Sequence, residues 1–349
     1  MAKVNVFTCA HNAEKTIART IESVLSQTYQ DFIYIITDNG STDGTLDIIE
    51  KYAMISNDKI KVCQLFRNDI RHYTSIMVLS NKLTFGMNTY FTHVDADDEM
   101  HPEFLEKTVA FAENNDLDFV GAGYEKIDGA SGCVLNRRGL KEDIMINGPE
   151  DLKESFIDYR GLTTFSWAKL FKIRENESVL SDYEMFEDSI STLKYLQEAE
   201  RAGFLKDILF KYHVYKDSYS YQKVDLAVKN YELLYYRTRE FIESFGELSP
   251  INNDFLYAIY ISIMQDTIDW IIISETPAER KLLWSLEILS KPLLSEIFAL
   301  RAFSPEIKNL RERNAILNNI AKKLAEVPDS ELIFSKIQEK IEVLKCLTI

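Results

Sequence analysis

Within the first 121 residues, short apolar runs alternate with amphipathic stretches, and this alternation limits the fold more than any other feature. Residues 4–9, 32–37, 60–66, 90–94 and 117–121 read as strands. Between them, 13–28 sets Ile17, Ile21, Val24 and Leu25 on one helical face, and 42–52, 73–87 and 102–115 read as further helices. Strands separated by helices cannot pair as tight hairpins. They build a mostly parallel sheet with helices on both faces, and ligands then bind beyond the carboxyl ends of the strands.

The alternation does not continue to the end of the chain. Eleven of the 12 glycines lie in 1–203, whereas five of the seven prolines follow residue 249. Ser249-Pro250, Thr276-Pro277 and Ser304-Pro305 suit a helix cap followed by a first-turn proline, which has no N–H to leave unpaired. The tail therefore reads as helices over 224–245, 251–274, 277–289, 292–302, 305–325 and 329–346. For 349 residues this predicts two domains, 1–222 and an all-helical 223–349 that packs or pairs copies of the chain. Residues 1–220 carry 24 basic and 36 acidic side chains, the remainder 16 and 19. The net charge of −15 argues against a nucleic-acid partner, because phosphate contacts need clustered Lys and Arg. Four cysteines without C-x-x-C spacing argue against a disulfide scaffold or a cysteine zinc site. The longest suspicious apolar stretch, 255–265, has 11 uncharged residues, short of the ~20 a membrane span needs. With no leader pattern at the first residues, the expected location is the cytoplasm, with peripheral attachment to an inner membrane face as the alternative.

Polar and acidic residues gather at the strand ends: Thr8-Cys9-Ala10-His11-Asn12 after the first, Asp38-Asn39-Gly40-Ser41-Thr42-Asp43-Gly44 after the second, and Asp95-Ala96-Asp97-Asp98 after the fourth. The 38–44 segment alone could be an ordinary turn capped by Ser41 or Thr42. Three carboxylates within four residues after a buried strand are harder to explain, since they repel one another. A divalent cation, Mn²⁺ or Mg²⁺, relieves that repulsion, and Asp95 and Asp97, two apart, face the same side of extended chain. The competing reading is a solvated acidic turn that opens the next helix at Pro102.

These segments, VNVFTCAHN, SVLSQTY, TDNGSTDGT and FTHVDADDEMHPEFLE, resemble the family 2 glycosyltransferases in order, spacing and wording over about residues 3–220. The resemblance implies a GT-A, Rossmann-like α/β fold that binds a nucleotide-sugar with a divalent cation and transfers a hexosyl group with inversion. It places Thr8, Ala10 and Asn12 against the nucleoside and Asp38 and Asn39 at the base, although the family mostly has Asp where Asn39 stands. Uracil, hence a UDP-sugar, is the expectation. Asn68 matches an Asn near the nucleotide. The family's Ala-Arg-Asn helix is here Met77-Val78-Leu79-Ser80-Asn81, without the Arg, and Arg71 is the substitute considered. Asp97 matches the metal ligand, Asp95 a ribose or metal contact, and Ala96 lies between them.

Downstream, Glu187-Asp188 at the start of an apolar-faced helix resembles the family's Glu-Asp pair, whose Asp takes the acceptor's proton. A plain acidic first turn is the alternative. Trp167 matches a stretch before that pair and either floors the acceptor site or belongs to the core. His213 matches a metal-ligating His of some relatives, against the commoner structural His on a strand. Lys216 stands where an Arg near the phosphates is usual, and His93 is expected to pack within its strand. The implied partners are a nucleotide-sugar donor and a carbohydrate, glycolipid or glycoprotein acceptor, in bacterial surface polysaccharide synthesis. A nucleotidyltransferase, or a relative that binds nucleotide-sugar without catalysis, remains the alternative. Thr8–Asn12 lacks the glycines and basic residues that a nucleotidyltransferase phosphate loop would show.

Overall fold

A computed structural model describes residues 3–66, 70–174, 186–215, 224–327 and 331–348, with the backbone alone for 70–74 and 187. The chain divides into two units, Met1–Tyr183 with Glu187–Tyr215, and Glu184–Phe186 with Lys216–Ile349.

The first unit contains strands β1 (Val4–Ala10), β2 (Phe32–Asn39), β3 (Ile60–Leu65), β4 (Tyr90–His93), β5 (Glu99–Met100), β6 (Phe119–Asp128), β7 (Val134–Arg138), β8 (Ile144–Ile146), β9 (Lys169–Lys172) and β10 (Ala202–Val214). Its helices are α1 (Ile17–Leu25), α2 (Thr45–Ile55), α3 (Ile70–Thr84), α4 (Phe104–Asn115), α5 (Pro149–Glu154), α6 (Phe156–Tyr159) and α7 (Glu187–Gln197). The strands form one sheet in the order β3-β2-β1-β4-β9-β6-β10-β5, with β7 beside β6 and β8 beside β10. β3, β2, β1 and β4 all run parallel, as helical crossovers demand. β9 then runs antiparallel to both β4 and β6, while β6 and β10 are parallel again. The architecture is a mixed α/β sheet with one parallel half.

α1 covers 17–25, not 13–28, because residues 13–16 turn before entering the helix. Its Ile17, Ile21 and Val24 are fully buried, each such side chain contributing about 1.5–3 kcal/mol. The strand expected over 117–121 continues to Asp128 as β6. Gly121 and Gly123 do not end it. A side chain at Gly123 would lie 2.7 Å from the Arg138 carbonyl, so glycine is there to let two strands approach. Asn5 of β1 donates to Asn81 Oδ1 (3.0 Å) and Thr84 Oγ1 (2.9 Å), which fixes α3 on β1.

The second unit is helical among its described residues. Helix Pro250–Ile273 starts as expected, with Ser249 Oγ accepting from the Asn252 N–H at 3.2 Å and Pro250 in the first turn. It packs on Val224–Glu243, Ala278–Leu289, Lys308–Arg311 and Arg313–Leu324. The last two replace the single helix expected over 305–325, with Glu312 between them. By length and composition alone, Pro250–Ile273 could cross a bilayer, and half of its most apolar window is buried within the protein. Tyr260, Ile261, Met264, Ile268 and Ile271 are all fully buried, as in the core helix of a bundle.

Candidate active site

At the carboxyl ends of β1 and β2 the chain is stitched by side chains. The register sets Ala10 opposite Asp38, so the two following loops lie side by side. Asn12 adopts a left-handed backbone (φ 50°), which Asn tolerates better than most residues. Its N–H donates to Ser41 Oγ (3.0 Å) and its Oδ1 accepts from the Thr42 N–H (2.8 Å). His11 Nδ1 donates to the Asn39 carbonyl at 3.0 Å. Thr8 Oγ1 donates to the Val94 carbonyl (2.8 Å), so its single proton is used and Tyr34 must donate to it across 2.8 Å. Thr8, Ala10, Asp38 and Asn39 are buried, and the Asn39 side chain bonds the Cys9 thiol. These residues shape the floor of the sheet edge.

The loop after β4 carries the carboxylates. α1 holds it from behind: Arg19 donates to the Asp97 carbonyl and, at 3.1 Å, to Tyr215 Oη, while Thr20 Oγ1 donates to the Asp98 carbonyl at 2.8 Å. Asp98 points inward, with Oδ1 accepting from the His213 N–H at 2.8 Å and Oδ2 buried without a partner among the described residues. Burial first, then Asp97 and Asp95, push its carboxyl well above the usual range. Asp95 is 44% exposed. Asp95 and Asp97 therefore offer oxygens at the surface of a loop that already resists its own charge. Mg²⁺ and Mn²⁺ commonly take one or two protein carboxylates and fill the other positions with water and substrate phosphate, and this pair fits that mode. Among the described residues no three His, Cys, Asp or Glu side chains converge as a metal site.

One bonded chain leaves this loop toward α7. Asp95 Oδ1 accepts from His93 Nε2 (2.9 Å), His93 Nδ1 meets Ser166 Oγ (3.0 Å), and Ser166 Oγ donates to Asp188 Oδ1 (3.2 Å). α7 is fastened to the Ser166 segment by Ser189 Oγ, which donates to the Thr164 carbonyl, and by Thr192 Oγ1, which donates to the Phe165 carbonyl at 3.4 Å. Asp188 is reached by solvent yet crowded by protein. Burial, then Asp95, raise its pKa, opposed by His93, Ser166 and Lys169.

Residues 5–166 match the description of Glycosyl transferase family 2. Over those residues the chain is similar to that family. EpsE of Bacillus subtilis (strain 168) is 29% identical over 240 residues, covering 68% of this chain and 82% of EpsE. A crystal structure of residues 1–349 of S. aureus TarS in complex with UDP-GlcNAc superposes with a TM-score of 0.51 at 18% identity, covering 99% of this chain and 90% of that one. The mannosyltransferase PcManGT from Pyrobaculum calidifontis, in complex with GDP-Man and Mn²⁺, gives 0.52 at 14% identity, over 99% and 86%. At these identities the likeness is one of fold.

Beyond those at the ends of β1 and β2, the expected residues fall into three groups. Asp95, Ala96, Asp97 and Asp188 belong to the network or its loop. Asn68 and Lys216 lie outside the described residues, as do the side chains of Arg71 and Glu187. Two further residues have other neighbours in the structure. His213 Nε2 bonds Glu99 Oε1 at 2.8 Å, its N–H donates to Asp98 Oδ1 at 2.8 Å, and its Nδ1 is buried without a partner among the described residues. Trp167 is 1% exposed, stacked on Phe165 (4.4 Å), Phe210 (4.9 Å) and Tyr212 (4.9 Å), so its ring serves the core. His93 and Arg19 were invisible as site residues, because their partners lie 73 and 78 positions further on in sequence.

Lys169 is buried behind Asp188, with Nζ donating to the Trp167 carbonyl at 2.7 Å. Burial pushes its pKa down to about 7, against an opposing pull from Asp188. Between about pH 7 and the ordinary 10.5 the unfolded chain holds a proton that the folded chain has lost, so this group makes stability rise with pH. Below that window both states are charged and the full penalty of burying the ammonium remains. Lys169→Met should therefore stabilise the fold by about 1–4 kcal/mol at pH 6, with the gain fading toward pH 10. Denaturant unfolding at both pH values measures this; a gain that grows with pH contradicts it.

Proposed function

We propose that the chain transfers a sugar from a uridine diphosphate sugar to a hydroxyl of a surface polysaccharide or glycoconjugate, with inversion at the anomeric carbon. The observation that carries this reading is the continuous bonded path from Asp95 to Asp188 at the carboxyl end of the parallel strands. An inverting transfer needs a base on the side of the sugar opposite the leaving diphosphate. Asp188 is suited to that role because crowding by protein, then Asp95, raise its basicity above that of an ordinary carboxylate. In the step, Asp188 removes the proton of the acceptor hydroxyl. The acceptor oxygen forms a bond to the anomeric carbon while the bond from that carbon to the diphosphate oxygen breaks, and the electron pair leaves with the nucleoside diphosphate.

Asp97 and Asp95 would hold a divalent cation, which when bound neutralises the charge of the leaving diphosphate. Support for the donor comes from TarS, which binds UDP-GlcNAc on this fold and is described as a poly(ribitol-phosphate) beta-N-acetylglucosaminyltransferase. Support for the cation comes from PcManGT with Mn²⁺. A thermal-shift panel of UDP- and GDP-sugars with and without Mn²⁺ tests the reading. The expected result is stabilisation by UDP-sugars that needs Mn²⁺. Stabilisation by free nucleoside triphosphates alone would point to nucleotidyl transfer instead.

A further inference from the structure

We propose that His93 and Ser166 are positioning residues that tie Asp95 to Asp188 and fix which oxygen of Asp188 meets the acceptor. The proposal rests on the reading of Asp188 as the base. Ser166 has one hydroxyl proton, and it goes to Asp188 Oδ1. Ser166 Oγ also lies 3.0 Å from His93 Nδ1, within hydrogen-bond distance. The other ring nitrogen, Nε2, donates to Asp95 Oδ1 at 2.9 Å. A single imidazole thus spans the gap between the end of β4 and the head of α7, and its side chain is 14% exposed, so water competes little for these bonds.

Strand geometry explains the first half of the bridge. His93 and Asp95 are two apart and lie on one side of the chain. The second half depends on the Thr164–Ser166 segment, to which α7 is already fastened by Ser189 and Thr192. With Oδ1 engaged by Ser166, Oδ2 becomes the oxygen that takes the acceptor's proton. The bridge also joins the residue that contacts the donor to the residue that activates the acceptor, so their separation is set by bonds and not by loop packing alone. A ring that only filled space at position 93 would need neither nitrogen.

The test uses the full chain with UDP-GlcNAc and Mn²⁺, following UDP release with water as acceptor. Ser166→Ala and His93→Phe should each lower kcat by roughly 10–100-fold, the range for losing a partner that orients a reacting group, with the donor KM within about twofold. Ser166→Thr keeps the hydroxyl and should recover most of the rate. The bridge is overturned if Ser166→Ala keeps the native kcat while Asp188→Asn is inactive. If Asp188→Asn keeps the native rate, the base assignment fails instead, so the two failures are distinct. A second readout does not depend on turnover: the ring nitrogen resonances of His93, assigned by their loss in His93→Phe, should shift in both Ser166→Ala and Asp188→Asn. Resonances that ignore both substitutions overturn the bridge whatever the rates.

Discussion

Asp188→Asn removes sugar transfer while donor binding stays within about twofold of the native protein. An amide of the same size keeps the oxygen that Ser166 bonds, so α7 and its first turn stay in place. What disappears is the capacity to take a proton, and loss of a general base lowers rates by roughly 10²–10⁴-fold. UDP release gives the rate and calorimetry gives the donor affinity. A tenfold fall in affinity would show that Asp188 belongs to the donor's own contacts.

Asp97→Asn has the complementary outcome. The dependence of nucleoside diphosphate binding on Mn²⁺ is lost, with affinity falling roughly 100-fold or more, beyond the 10–100-fold typical of losing a partner that merely orients a metal ligand. The loop itself survives, because Arg19 and Thr20 hold main-chain oxygens that the substitution leaves alone. Melting temperature in the absence of cation should hold or rise, since one member of a crowded group of carboxyls is gone. Titration of UDP with and without Mn²⁺ decides it: an unchanged cation dependence rules Asp97 out as a ligand.

The parts of this protein that were legible in sequence are those written locally. β1 to β4 and their helices announce themselves through periodicity, and the carboxylates of 95–98 through their density on four consecutive residues. The helical tail was legible for the same reason, with Ser249-Pro250 marking a start that the structure keeps. What stayed hidden depends on pairings made across the sheet. The direction of β9 has no signature, because four residues pair equally well either way. Gly121 reads as a strand end, yet with Gly123 it serves close packing inside a longer strand. Trp167 and His213 look functional by type, and only their neighbours show that one fills the core and the other pairs with Glu99. His93 looked like packing until Ser166 was placed beside it.

The grip of α1 on the acidic loop has a thermodynamic consequence. Because Arg19 and Thr20 fix the carbonyls of Asp97 and Asp98, the loop cannot spread its carboxylates apart, and folding compresses them like a spring. On the proposed reading, a cation lets that spring relax without moving the backbone. Loading and conformational stability are then linked quantities, and the melting temperature becomes a gauge of occupancy. A cell short of donor and cation would hold the protein in its more fragile form, so its lifetime against proteolysis would follow the supply of its own substrate.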